Sequence, residues 1–191
     1  MVNFEDEILS MQELGYNFIP ERVEVKIPHA PDVLRNGLKF FSPSPIWLKS
    51  YDEIVSWLTD NQGRGLLCMG NCGLGKTLIC GKIIPIVLHH YHNLITSCYN
   101  ATGISKQLDE ILTKKVVYLD DVGTEDIANV YGNRRIPFAE ITDMAEKQGN
   151  LLIITTNLNT NQISEKYGER VLDRLKAITK LVVISGKSLR K

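Results

Sequence analysis

An α/β fold, with a parallel sheet of about five strands covered by helices on both faces, is what this 191-residue sequence predicts, and three observations carry the prediction. Short runs rich in apolar residues recur at positions 66–69, 94–99, 116–119, 151–155 and 181–184. Their length suits strands buried on both faces. Segments of helical period separate the runs, as crossovers between parallel strands require. Finally, Gly70-Asn71-Cys72-Gly73-Leu74-Gly75-Lys76-Thr77 stands between the first run and the helical pattern after it, a complete G-x-x-x-x-G-K-[ST] element in its expected context.

The elements follow in order. An acidic amphipathic stretch (Phe4, Ile8, Leu9, Met11, Leu14) ends at Gly15, and prolines then punctuate the chain at positions 20, 28, 31, 43 and 45. Residues 1–45 are expected to form an N-terminal extension, either a strap on the core or a segment that docks a partner protein. The main domain is expected over residues 46–191. Tyr51, Ile54, Val55, Trp57 and Leu58 have helical period and stop before Asn61-Gln62-Gly63. A helix over residues 76–91 follows the glycine-rich loop, with Pro85 expected to kink or interrupt it. Further helices are predicted over residues 104–112, 136–148 and 163–175, the last interrupted near Gly168. No separate C-terminal lid domain is expected.

Composition sets limits. Apolar content of 43% and charged content of 23% are ordinary for a globular protein, and the formal charge of zero argues against tight non-specific nucleic-acid binding by an isolated monomer. The acidic start lacks the basic and apolar regions of a signal peptide, and no apolar run approaches the length of a membrane span, so a cytoplasmic protein without a membrane partner is expected. Cys68, Cys72, Cys80 and Cys98 form no C-x-x-C pair and are read as reduced structural thiols. The His89-His90-Tyr91-His92 cluster lacks partners at metal-ligand spacing and reads as the cationic end of a helix.

The glycine-rich loop explains itself chemically. Small residues let the backbone curl around a phosphate chain, and successive N–H groups plus a helix N-terminus point at its negative charge. Lys76 is expected to reach the β- and γ-phosphates, and Thr77 to ligate Mg²⁺. About 44 residues later, Val116-Val117-Tyr118-Leu119-Asp120-Asp121 sets two carboxylates past the end of a buried strand, where an open α/β sheet binds its ligand. Asp120 is the candidate metal partner alongside Thr77. Asp121 is the candidate for polarising the attacking water, with Glu125 as its competitor. The 151–155 strand leads to Thr156 and Asn157, and Asn157, or Thr156 in its place, is expected beside the γ-phosphate. Arg170 and Arg174 lie one turn apart in Tyr167-Gly168-Glu169-Arg170-Val171-Leu172-Asp173-Arg174-Leu175, and either guanidinium can fork onto a phosphate.

Taken in order, GNCGLGKT, VVYLDD, IITTN and YGERVLDRL, ending at Gly186-Lys187-Ser188-Leu189-Arg190, the chain from about residue 50 to 191 resembles the AAA+ ATPases of the DnaC/IstB type. These are bacterial and phage helicase loaders and transposition helpers. The resemblance implies a P-loop NTPase core in which residues 70–77 are Walker A, Asp120 and Asp121 Walker B, and Asn157 sensor 1. It implies that Arg174, with Arg170 beside it, is the arginine finger and Arg190 the sensor 2 residue. Asp121 stands where many AAA+ proteins have Glu, and the N-terminal region is shorter than a helicase loader usually carries.

The expected function is therefore a DnaC-like, Mg²⁺-dependent ATPase that binds ATP and releases ADP, self-associates through its ATP site and acts on a replicative helicase. Single-stranded DNA is a further expected partner, through Lys106, Lys114, Lys115, Arg134 and Arg135. The other readings are an IstB-like transposition helper that binds duplex DNA, and a nucleotide-dependent binding module with little hydrolysis. A nucleotide kinase would need an acceptor pocket and an arginine-rich lid, and the chain shows neither between its strands.

Overall fold

The computed structural model describes residues 2–16, 18, 20–125, 129–130, 133–134 and 136–189, with the backbone alone for 129–130 and 133–134. Five parallel strands, β1 (Gly65–Met69), β2 (Ser97–Asn100), β3 (Val116–Val122), β6 (Leu151–Thr156) and β7 (Thr179–Val183), form the sheet in the order β2-β3-β6-β1-β7. A short antiparallel pair, β4 (Asn129–Val130) and β5 (Asn133–Arg134), lies in the β3–β6 connection. Because side chains alternate along a strand, β1, β3, β6 and β7 feed two cores, while the edge strand β2 feeds only one, through Tyr99. Leu66, Cys68, Tyr118, Ile153 and Val182 enter one. Leu67, Met69, Val117, Leu119, Leu152 and Ile154 enter the other.

The first core is closed by α2 (Ala30–Phe41), α3 (Tyr51–Thr59) and the helix after the glycine-rich loop. That helix runs as α4 (Lys76–Leu78), a π-helical turn (Ile79–Ile83) and α5 (Ile84–His92). The widened turn precedes Pro85, whose ring and missing N–H strain an α-helical ladder, so the expected interruption takes the form of a π-bulge and the helix runs on to His92. The second core is closed by α6 (Ile104–Ile111), α7 (Pro137–Gln148), α8 (Thr160–Tyr167) and α9 (Glu169–Ile178). Gly168, at φ 93, is the break between α8 and α9.

The N-terminal region divides in two. Helix α1 (Phe4–Glu13) buries no residue. Val25, Ile27, Ala30, Leu34 and Leu38, by contrast, belong to the same core cluster as β1 and β7, so the packed body begins before residue 46. Asn61 ties this strap down: its Oδ1 accepts the Val25 N–H at 2.8 Å, and its Nδ2 donates to the carbonyls of Val23 and Arg64, each at 3.0 Å. Helix α2 escapes a reading by prolines alone because Pro31 sits in its first turn, where no N–H is needed. The histidine cluster falls in the last turn of α5, and no metal-binding group of histidine, cysteine and carboxylate side chains occurs among the described residues. All four cysteines are free thiols, with Cys68 and Cys80 buried and Cys72 and Cys98 exposed. Among the described residues no helix is long and apolar enough to cross a membrane.

Candidate functional site

The C-terminal ends of β1, β3 and β6 converge, and each delivers one part of the site. Beyond β1 the chain curls through Gly70, Asn71, Cys72, Gly73, Leu74 and Gly75 into α4. Gly73 and Gly75 adopt φ 80 and 78, where a Cβ is unfavourable. At Gly70 a Cβ would come within 2.2 Å of the Ile184 carbonyl oxygen, so the loop start requires glycine on spatial grounds. The Tyr51 hydroxyl donates to the Leu74 carbonyl at 2.9 Å, and burial pushes that phenol up to about 12, which keeps it a donor. The Leu189 N–H closes on the Gly73 carbonyl at 2.8 Å, laying the C-terminal segment against the loop.

Lys76 is 7% exposed and points back into the loop. Its Nζ donates to the Gly70 carbonyl at 2.6 Å, the Asn71 carbonyl at 2.8 Å and the Asn157 Oδ1 at 3.0 Å. No full negative charge is among these acceptors, and burial lowers the ammonium pKa from its usual 10.5. A buried cation served only by neutral oxygens is a seat for an anion.

The two aspartates at the end of β3 sit on a β-bulge. Pairing with β6 steps from Leu119–Ile154 to Val122–Thr156, so three steps on β3 match two on β6, and Asp121 adopts φ 57. Strict alternation would send adjacent side chains to opposite faces; a bulge re-aims one of them. Asp120 Oδ1 accepts from Thr77 Oγ1 at 3.0 Å, while Asp121 Oδ1 accepts from Asn157 Nδ2 at 2.8 Å. Asn157 thereby touches both Lys76 and Asp121. Thr156, its sequence-level competitor, is fully buried and spends its hydroxyl on the Val122 carbonyl and the Leu158 N–H.

Glu125 is 6% exposed and engaged elsewhere. Its carboxylate accepts from the Tyr167 hydroxyl and from the Gly123 N–H, the latter at 2.8 Å, while Lys166 binds its backbone carbonyl. That arrangement anchors α8 to the β3 exit. Asp121 is the acid that the structure brings to Asn157.

Arg174 lies between two carboxylates of α7, Asp143 at 2.5 Å and Glu146 at 2.8 Å, with its side chain 17% exposed. Arg170, one turn earlier, is exposed, and no ion pair joins it among the described residues. Neither guanidinium bonds to the Lys76–Asp120–Asn157 cluster. Among the lysines considered for DNA, Lys115 donates to the carbonyls of Glu21 and Gln148, and Lys114 pairs with Glu110; Lys106 is exposed. Arg190 and Arg135 lie outside the described residues, as does the side chain of Arg134.

Two residues in the cluster were not read from the sequence. The Tyr118 hydroxyl donates to Asp120 Oδ1 at 2.5 Å, and Thr155 Oγ1 donates to the same oxygen at 2.7 Å. Their signal was a phenol inside an aliphatic run and a hydroxyl at the end of another, positions that a wholly apolar strand leaves to Val or Ile.

No family model matches the sequence, and no curated protein matches it. Solved structures do share its architecture. The DnaC helicase loader superposes with a TM-score of 0.55 at 18% identity, covering 84% of this chain and 93% of that one. DnaI gives 0.54 at 20% identity over 66% and 73%, and a putative primosome component from Streptococcus pyogenes serotype M3 gives 0.54 at 15% over 85% and 84%. AMPPCP-bound DnaA from Aquifex aeolicus gives 0.52 at 14%, covering 73% of this chain and 48% of DnaA. At such identities the likeness concerns the fold alone: a five-stranded parallel sheet flanked by helices, as in the DnaC and DnaA structures.

Proposed function

We propose that this protein is a Mg²⁺-dependent ATPase that acts in DNA replication as a DnaC-like helicase loader. The observation that carries the reading is the convergence of Lys76, Thr77, Asp120, Asp121 and Asn157 at the C-terminal ends of the three central strands, within hydrogen bonds of 2.8–3.0 Å. The likeness to the DnaC helicase loader, over most of both chains, supports the loader assignment.

The residues fit the nucleotide. Lys76 would exchange its neutral acceptors for phosphate oxygens, and the N–H groups of residues 71–77 would line the same anion. They also fit the metal, since a Thr77 hydroxyl and an Asp120 carboxylate 3.0 Å apart are the hard oxygen donors that Mg²⁺ takes. Bound there, Mg²⁺ would neutralise charge on the β- and γ-oxygens. Asp121 accepts a proton from water as the water oxygen bonds to the γ-phosphorus; the bond from that phosphorus to the bridging oxygen breaks, and ADP leaves with phosphate. Asn157 orients the water and holds the Asp121 carboxylate.

A second subunit would complete the site through the α9 arginines. Arg170 is exposed and makes no close ion pair among the described residues, so it could reach a neighbour's phosphate, whereas Arg174 must first leave Asp143 and Glu146. ATP would thereby join neighbouring subunits and hydrolysis would release them. Helix α1, with Phe4 74% and Leu9 61% exposed, is the surface offered to the helicase.

ATP turnover measured across protein concentration tests the assembly. Wild-type specific activity is expected to rise with concentration, and Arg174→Ala and Arg170→Ala each to lose it, with partial recovery when mixed with wild type. Turnover that ignores both concentration and the arginines refutes a shared site. Capture of the cognate helicase is expected to need residues 1–16; capture that persists without them removes the docking role. Addition of single-stranded DNA to the turnover assay tests that partner directly.

A further inference from the structure

Asp120 Oδ1 is the acceptor of three hydroxyls at once: Tyr118 at 2.5 Å, Thr155 at 2.7 Å and Thr77 at 3.0 Å. Only Thr77 belongs to the phosphate loop. The other two come from inside the sheet, Tyr118 from β3 itself and Thr155 from β6. Thr155 has a second task, because its oxygen accepts the Asp121 N–H at 3.0 Å at the bulge, where the regular β3–β6 register shifts. One hydroxyl thus fixes the direction of Asp120 and the backbone of Asp121. The Tyr118 ring has its place because residue 81 is glycine: a Cβ there would come within 2.6 Å of Tyr118 Cε1. Gly81 lies in the π-helical turn, so the widened helix and the tyrosine fit one another beneath the carboxylate.

We propose that Tyr118 and Thr155 are positioning residues that hold Asp120 by its Oδ1 and so present the carboxylate to the Mg²⁺ of bound nucleotide. The proposal rests on the Mg-nucleotide reading above. A carboxylate on a strand end can turn about its two side-chain torsions, and a free one loses that freedom when it binds a metal. Two fixed donors on one oxygen remove the rotation beforehand, which is the pre-organisation that an outer layer of hydrogen bonds gives to a metal ligand. With Thr77 turned to a bound metal, Tyr118 and Thr155 would keep their hold on Asp120 Oδ1, and the carboxylate would stay aligned.

The test is the dependence of nucleotide affinity on metal, read without turnover. A fluorescent ADP is titrated into the full chain in Mg²⁺ and again in EDTA, and Mn²⁺ affinity of the ADP complex is followed by electron paramagnetic resonance. Tyr118→Phe keeps the ring and removes the hydroxyl. It is expected to reduce the Mg²⁺ enhancement, and to weaken Mn²⁺ binding, by about tenfold, the scale of one lost charge-assisted hydrogen bond. Affinity in EDTA is expected to stay within about twofold of wild type. Thr155→Val should lose the enhancement as well, and Thr155→Ser, which keeps the hydroxyl, should retain it. Should Tyr118→Phe fail to fold, the Thr155 pair decides. An unchanged Mg²⁺ enhancement in the hydroxyl-less variants, or an equal loss in Mg²⁺ and EDTA, overturns the positioning role. If instead the wild-type protein binds nucleotide with no response to metal, or does not bind it, the Mg-nucleotide reading itself falls.

Discussion

Replacing Asp121 by glycine and by valine separates what its backbone does from what its carboxylate does. At φ 57 the residue occupies the left-handed region, which costs an ordinary L-residue about 1–2 kcal/mol and glycine nothing. Glycine gains about 1 kcal/mol of that relief, since aspartate tolerates the conformation better than most residues, but it loses about 0.5–1 kcal/mol to its freer unfolded chain and about 1 kcal/mol with the Asn157 hydrogen bond. The terms nearly cancel, so Asp121→Gly should unfold within about 1 kcal/mol of wild type, or about 2–4 °C in a domain of this size. Valine has neither glycine's freedom nor the short polar side chain that tolerates this conformation, and after glycine's chain-entropy cost is set against the strain it should fall about 1–2 kcal/mol below the glycine variant, or about 2–8 °C. Both lack the carboxylate, and both should lose ATP turnover by at least about a hundredfold. Thermal melting and a steady-state phosphate-release assay on the same preparations give the two readouts. Equal melting of the glycine and valine variants would refute the backbone argument, and turnover retained by either would remove Asp121 as the base.

Glu125→Gln should show the opposite pattern. Weakening its contacts to Tyr167 and Gly123 costs about 1–3 kcal/mol in urea unfolding, while turnover per folded molecule stays within a few-fold of wild type. A Gly70→Ala chain must move its loop away from the Ile184 carbonyl, and is expected to lose at least about 2 kcal/mol of stability by denaturant titration; a neutral result would mean that the loop entrance has slack. Asp143 supplies a pH dependence. Its hydrogen bond from Lys147 first, and the Arg174 charge next, hold its pKa below the usual 3.8. A depressed carboxylate contributes stability that is full above pH 3.8 and is lost as pH falls through the lower folded value. Asp143→Asn should therefore remove part of the acid-induced fall in melting temperature and leave the neutral limb parallel to wild type, and an unchanged acid limb would count against the ion-pair cluster.

The legible parts of this chain were those in which a single residue type has a single use. Apolar runs between helical periods gave five parallel strands, since a strand covered on both faces has no polar face to alternate with. Gly73 and Gly75 announced a loop that requires positive φ. The helix Ala30–Phe41 stayed hidden because its prolines look like punctuation, although one of them occupies the first turn, which tolerates proline. Bulge geometry was hidden as well. Consecutive aspartates at the end of a strand carry no sign of which face each takes, and at the register shift the Asp121 N–H donates to the Thr155 hydroxyl of the neighbouring strand, a contact the sequence does not announce. Glu125 could compete with Asp121 only until Tyr167, 42 residues away, was seen to hold it.

Asn157 shows how these parts form one device. Its amide uses both ends, with the oxygen on Lys76 and the nitrogen on Asp121, so the phosphate loop and the bulge of β3 meet through a single planar group. An anion that draws Lys76 off its neutral acceptors frees the amide oxygen while the nitrogen still holds Asp121. Under the ATPase reading proposed above, the hydrogen-bonding capacity released in that exchange would face the terminal phosphate and its attacking water, between the lysine and the carboxylate. An aspartate at this position supplies only the acceptor half of the link, and a leucine supplies neither half. That is the physical reason for an asparagine at the end of β6, where a turn alone would have accepted serine or glycine equally well.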